Sequence, residues 1–296
     1  MQDGKGESMF LCDQWKDYEV LDTGDGEKLE RWKDVILRRP DPQVIWPKAD
    51  PTLWKQADAW YTRSETGGGN WTFYRKLPER WVMTLGDLQF YVRPTGFKHT
   101  GLFPEQAANW AFMRERVAQA TARGKQVRVL NLFAYTGAAT LACAAAGAHV
   151  THVDAAKGMV QWAKENRDLS GIPEDRTRMI VEDVKAFVQR ELRRGNRYEG
   201  ILMDPPSYGR GPNGEVWKLE NELYGLVELC VQAVSDQPVF FLVNGYTTGF
   251  AGGVLANIVS RCFAGRGHTV AEELALPVTT GGVLPCGATA RWTPDV

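Results

Sequence analysis

Residues 201–211 read ILMDPPSYGRG: three apolar residues run into Asp204, which is followed by Pro205, Pro206, Ser207 and Tyr208. Proline fixes φ near −65° and has no amide donor, so the pair imposes a rigid, extended exit from a strand and restricts Asp204 as well. Open α/β sheets bind ligands where such ends gather, in the crevice outside the carboxyl edge. Asp-Pro-Pro-Ser is equally a turn whose Asp and Ser bond local amides. The tetrapeptide by itself does not separate the two readings.

Further residues upstream bear on the choice. VRVLNLFAYTGAATLACAAAGA joins a strand to a helix through Ala134, Tyr135, Thr136 and Gly137, and the glycine lets the backbone turn sharply and approach a ligand closely. A Rossmann dinucleotide site would need G-x-G-x-x-G here, and only one of those glycines is present; no G-x-x-x-x-G-K-[ST] occurs either. Dinucleotide binding and nucleoside triphosphate hydrolysis are therefore disfavoured. Asp154 ends the next strand, where an acidic residue accepts hydrogen bonds from ribose hydroxyls. Asp183 ends the third strand and Asp204 the fourth. Any one of them could be a helix N-cap, but three in succession behind a glycine turn point to a nucleoside-containing ligand.

The elements that must position these residues alternate regularly. EQAANWAFMRERVAQATARG has helical spacing and stops at Gly124. Strands over 127–133, 149–154, 178–183, 198–204 and 238–244 alternate with helices over 138–147, 156–169, 184–194, 218–235 and 250–264. Such alternation demands parallel neighbours and right-handed crossovers, hence a doubly wound α/β sheet. TVAEELALPV and ATARWT have no helix between them, so they form a hairpin and one final strand is antiparallel. Before residue 100 the chain holds seven of the eleven tryptophans and short apolar runs broken by Gly, Asp and Pro. Residues 1–100 read as a small β-rich domain, with TGGGN as a hairpin loop, and 101–296 as the catalytic domain.

The totals set bounds. A chain of 296 residues can bury a large core without disulfides, and its five cysteines are scattered with no C-x-x-C. MQDGKGESMF has no apolar signal core, and no run of about 18 apolar residues occurs; a cytoplasmic protein is expected. With 35 basic and 36 acidic residues the formal charge is −1, which does not favour a binder held on nucleic acid mainly through phosphates.

NLFAYTGAAT, the strand-end Asp154, VEDV around Asp183 and DPPSYGRG resemble the motifs of class I S-adenosylmethionine-dependent methyltransferases. They are most similar to the group that includes bacterial 23S ribosomal RNA methyltransferases acting on cytosine C5 or guanine N7. HTGLFPEQAANW resembles that group's Gly-Leu-Phe stretch, and the resemblance covers about residues 90–296. It implies a seven-stranded Rossmann-like sheet, S-adenosylmethionine as cofactor and a base in ribosomal RNA as acceptor. Tyr135, Thr136 and Gly137 would line the methionine part, Asp154 would grip the ribose and Asp183 the adenine amino group. Phe103 and Gln106 would close over the cofactor. Asp204, Pro205, Pro206, Ser207 and Tyr208 would face the acceptor. The sequence departs from the group in its neutral charge and in having no recognisable PUA-type module.

Other residues carry competing readings. Cytosine C5 chemistry needs a thiolate nucleophile, and Cys286 in LPCGATARW is the candidate by position, against an ordinary cysteine. Cys143 and Cys230 sit in apolar helical patterns and read as core. The N-terminal aromatics fit a core, with base stacking as the alternative. RELRRGNR (190–197) is either a phosphate contact or a solvated helix end. His99 and His152 have no partner at metal-ligand spacing, so no metal is expected. An acceptor that is a small molecule or protein, a non-catalytic RNA-binding assembly factor and a homodimer all stay open.

Overall fold

The computed structural model describes residues 9–64, 68–210, 216–246 and 250–295; Thr66 and Gly67 of the expected TGGGN hairpin loop and Gly211 lie outside them. The chain forms two compact units, one of Met1–Phe10, Ala108–Leu274 and Cys286–Val296, the other of Leu11–Ala107 and Ala275–Pro285. The expected division at residue 100 is a single cut along the chain. The second unit also takes in 275–285.

The first unit is built on strands Arg128–Leu132 (β1), His149–Asp154 (β2), Thr177–Val181 (β3), Gly200–Met203 (β4), Phe240–Gly245 (β5), His268–Pro277 (β6) and Val283–Thr293 (β7). Their order is β6-β7-β5-β4-β1-β2-β3, with an eighth strand, Met9–Leu11, outside β6. That addition to the expected seven strands is three residues long, too short to show a period of two. β1 to β5 pair parallel, and β7 runs antiparallel to β5. The helices are Ala107–Ala122 (α1), Ala138–Ala145 (α2), Lys157–Leu169 (α3), Val184–Arg193 (α4), Leu219–Val231 (α5) and Gly252–Cys262 (α6).

Both faces of the parallel strands are buried, which is why they read as unbroken apolar runs instead of alternating. Leu130, Leu132, Ile201, Met203, Phe241 and Val243 join Phe187 of α4, Leu223 of α5 and Val259 of α6 in one core. The intervening Val129 and Asn131 are equally buried on the other side of β1. Truncating a fully buried ring such as Phe187 would cost about 3–5 kcal/mol. From β1 the chain steps outward to β2 and β3, then returns through α4 to β4 on the far side of β1. The β1/β4 boundary is thus the topological switch point, where a doubly wound sheet leaves an open crevice.

In the second unit Tyr18–Gly24, Glu27–Trp32, Val35–Pro40, Ala59–Arg63 and Gly69–Phe73 form a five-stranded sheet in chain order. Trp81–Leu85 and Leu88–Val92 make a separate hairpin. Residues 275–285 bind the first strand: the Thr279 amide donates to the Val20 carbonyl at 2.9 Å, and Thr280 Oγ1 to Asp22 Oδ1 at 2.7 Å. Trp32 and Trp54 are core residues, Trp46 is exposed, and the other N-terminal tryptophans are partly buried.

Candidate active site

The turn after β1 departs from ordinary backbone geometry. Phe133 (φ 55°), Tyr135 (φ 52°) and Gly137 (φ 89°) are all left-handed, a state that costs a non-glycine residue about 1–2 kcal/mol. Such a loop persists only where its surroundings over-determine it. Here the Ala134 amide donates to the Val153 carbonyl at 3.1 Å, the Tyr135 amide to Asp154 Oδ2 at 2.9 Å, and Asn166 Nδ2 to the Thr136 carbonyl at 2.9 Å. β2 and α3 thus hold the curl open. Gly137 is required twice over, because a Cβ there would also stand 2.9 Å from Cβ of Ala163 on α3.

Asp154 is the last residue of β2 and is partly buried. Its Oδ1 accepts from the Ala156 amide at 2.8 Å while Oδ2 takes the Tyr135 amide. Burial raises its pKa, against the pull of the two amides. One donor on each oxygen leaves lone pairs for two more. β3 ends at Val181, two residues short of Asp183; the exposed Asp183 caps α4, with Oδ1 accepting from the Ala186 amide at 2.9 Å. The N-cap reading therefore holds for this aspartate, and its second oxygen leaves room for the ligand reading too. The Glu182 amide, donating to the Asp154 carbonyl at 3.2 Å, keeps the two acidic positions adjacent.

Asp204 follows β4 directly, and its amide donates to the Leu132 carbonyl at 3.3 Å, across the switch point. Pro205 is buried, whereas Pro206, Ser207 and Tyr208 are exposed. Neither proline joins a ladder, and pairing resumes only where Tyr208–Arg210 meets Val216–Lys218. Trp217, which no motif in the sequence singled out, ties this turn down. Its indole N–H donates to the Pro206 carbonyl at 2.6 Å, and its ring lies 5.3 Å from that of Phe133. The β1 and β4 exits are thereby joined through one side chain. Because β1 to β4 are parallel, Gly137, Asp154, Asp183 and Asp204 all stand at one edge of the sheet.

Beneath the loop, Asn131 Nδ2 donates to Thr140 Oγ1 at 2.9 Å, and Thr140 Oγ1 lies 3.0 Å from His152 Nδ1. Burial lowers the His152 pKa to about 3, and its Nε2 has no partner among the described residues. This histidine is a neutral strut. Phe103 and Gln106 belong to the other unit: Phe103 precedes the turn Pro104–Gln106, with its ring 5.2 Å from that of His99, and Gln106 is buried. Cys143 and Cys230 are buried, with thiol pKa values pushed up, to about 12 for Cys143. Cys286 is buried at the start of β7, two residues before Ala288, which pairs with Gly245 at the end of β5. Among the described residues no cluster of His, Cys, Asp and Glu could hold a metal, and no helix is long and apolar enough to cross a membrane.

Comparison with known proteins agrees with this geometry. The S-adenosylmethionine-dependent methyltransferase family profile matches residues 66–235, a span that includes β1 to β4 and Asp204–Tyr208. Ribosomal RNA large subunit methyltransferase K of Neisseria meningitidis serogroup B is 29% identical over 191 residues, 64% of this chain and 51% of that protein. The chain thus spans about half the length of that relative. The crystal structure of a SAM-dependent methyltransferase from Agrobacterium tumefaciens matches with a TM-score of 0.91 at 36% identity, over 100% of this chain and 98% of that one. SMU.776, complexed with SAH, shares the fold with a TM-score of 0.75 at 17% identity, over 96% of this chain and 76% of that one. Matched over more than half its length, and with its acidic strand ends gathered at one sheet edge, the chain belongs to the S-adenosylmethionine-dependent methyltransferases.

Proposed function

We propose that the protein methylates a base in ribosomal RNA, binding its cofactor along the ends of β1, β2 and β3 and its acceptor against Asp204–Tyr208. The observation that carries this reading is the convergence of the strained 133–137 turn and the Asp204 turn at the switch point. The named function of the Neisseria relative supports RNA as the acceptor. S-adenosylmethionine supplies the reactive methyl group, so the chain's task is alignment and desolvation. In this reading Asp154 receives the ribose hydroxyls on its remaining lone pairs and Asp183 receives the adenine amino group. Tyr135, Thr136 and Gly137 line the methionine portion. Pro205 and Pro206 hold the Asp204 carboxylate and neighbouring carbonyls still, and Ser207 and Tyr208 contact the acceptor base. Residues 1–100 recognise the substrate.

The test offers ribosomal RNA, ribosomal protein and total metabolites from cells lacking the gene, together with labelled cofactor. Label is expected in the RNA fraction, lost in Asp204→Ala with S-adenosylhomocysteine affinity within a few-fold of wild type. In Asp154→Ala that affinity should fall at least tenfold. Label confined to protein or metabolites would overturn the RNA reading, and an Asp154→Ala variant that binds like wild type would overturn the assignment of the cofactor site.

A further inference from the structure

One face of the N-terminal sheet gathers cations that the catalytic reading does not use. The register sets Lys28 opposite Arg39, and Leu37, Ala59 and Phe73 in line across the next strands. Side chains two residues apart share a face, so Lys28, Arg39, Tyr61, Arg63, Trp71 and Phe73 lie together. Segment 95–99 is tied over them: the Trp71 indole donates to the Thr95 carbonyl at 2.9 Å, and Arg39 Nη1 to the Lys98 carbonyl at 2.9 Å. Lys98 and His99 consequently sit among Lys28, Arg39 and Arg63. Burial first, then this crowd of positive charge, lowers the Lys98 pKa to about 8 and that of His99 to about 3.

Glu30 is engaged by Arg39 at 2.6 Å, and Asp41 lies 3.4 Å from Lys28. The buried Glu105 has its pKa raised, chiefly by burial, while Lys28 and Arg39 pull it the other way. Among the described residues neither Lys98 nor Arg63 forms an ion pair. Two large rings stand in solvent on the same stretch: Phe97, 66% exposed and next to Lys98, and Phe73, 52% exposed and stacked on Trp71. Unpaired cations beside exposed rings match single-stranded nucleic acid, whose phosphates need cations and whose unstacked bases need π-faces.

We propose that Lys98 and Arg63 take a backbone phosphate of single-stranded RNA and that Phe97 stacks an adjacent base. The inference rests on the reading that the acceptor is RNA, and it names where that RNA docks outside the catalytic residues. Fluorescence anisotropy with a labelled single-stranded ribosomal RNA fragment tests it on the full-length protein. Phe97→Ala should weaken binding about tenfold. Lys98→Gln and Arg63→Gln should each weaken it and reduce the slope of log affinity against log salt by about 0.7. S-adenosylhomocysteine affinity and thermal midpoint should stay at wild-type values. In methylation assays KM for RNA should rise with kcat unchanged, as expected when binding is lost equally from ground and transition states. The inference is overturned if all three variants bind RNA like wild type, or if the same substitutions abolish binding to phosphatidylglycerol vesicles and leave RNA binding intact. Wild-type protein that methylates no RNA would defeat the functional reading separately, while the anisotropy series still decides the docking site.

Discussion

Gly137 and His152 show how much of the cofactor loop depends on single side chains. In Gly137→Ala the new Cβ meets a left-handed backbone and the Ala163 methyl 2.9 Å away, for a combined cost of about 2–4 kcal/mol. Thermal melts should show a midpoint several degrees lower, and S-adenosylhomocysteine titration should show weaker binding. His152 makes a pH prediction. Its pKa is about 3 in the folded chain against an ordinary 6.5, so below pH 6.5 the unfolded chain binds a proton that the folded one refuses. Stability is therefore lost as pH falls through that window, on the order of 2 kcal/mol by pH 4.5. His152→Gln should flatten urea midpoints measured across this range, and an unchanged slope would refute the assignment. Asp154, Asp204 and Gly137 were legible at this scale because turn chemistry and strand ends are local signals. Asp183 was legible as an N-cap of α4, and the structure has it so; the strand end placed there stops two residues earlier, at Val181. The packing constraint on Gly137 was hidden, because its partner Ala163 lies on another helix.

At the scale of elements, β1 to β5 and the helices between them could be read almost to their ends, since runs buried on both faces alternate sharply with amphipathic helices. What could not be read was the tie between the β1 and β4 exits. Trp217 lies in a short polar hairpin with no spacing that sets it apart, and its use depends on Phe133 arriving from another strand. Removing it should free the Asp204 turn without touching the cofactor loop's own hydrogen bonds. In Trp217→Phe the ring contact with Phe133 is kept and the 2.6 Å bond to the Pro206 carbonyl is lost, a change of about 1 kcal/mol. Trp217→Ala loses both. Methyl-transfer assays are expected to show kcat falling in the order wild type, Phe, Ala, with cofactor affinity nearly constant. A parallel loss of cofactor binding would mean that the tryptophan supports the whole loop instead.

For the molecule as a whole, the sequence shift near residue 100 marks a real change in composition, yet the β-rich unit is not contiguous in the chain. Residues 275–285 complete it through Thr279 and Thr280, which bind the strand carrying Val20 and the fully buried Asp22. No periodicity announces a contact between residues so far apart, and TVAEELALPV reads as a strand whichever partner it meets. A fragment of residues 11–107 should therefore lack a cooperative melt and near-ultraviolet ellipticity. Adding a peptide of residues 275–285 should restore both. A fragment that melts cooperatively unaided would show that the returning segment is dispensable.

That return has a consequence for biosynthesis. The strand carrying Val20 and Asp22 must wait, unfinished, until residues 275–285 have been translated. At about 5–20 residues per second the delay is roughly ten to thirty seconds, during which the strand carrying Val20 and Asp22 is paired with Glu27–Trp32 alone and nascent chains should be open to protease. Stalling translation just before and just after codon 285 clears the ribosomal tunnel would reveal whether that vulnerability ends when the segment emerges.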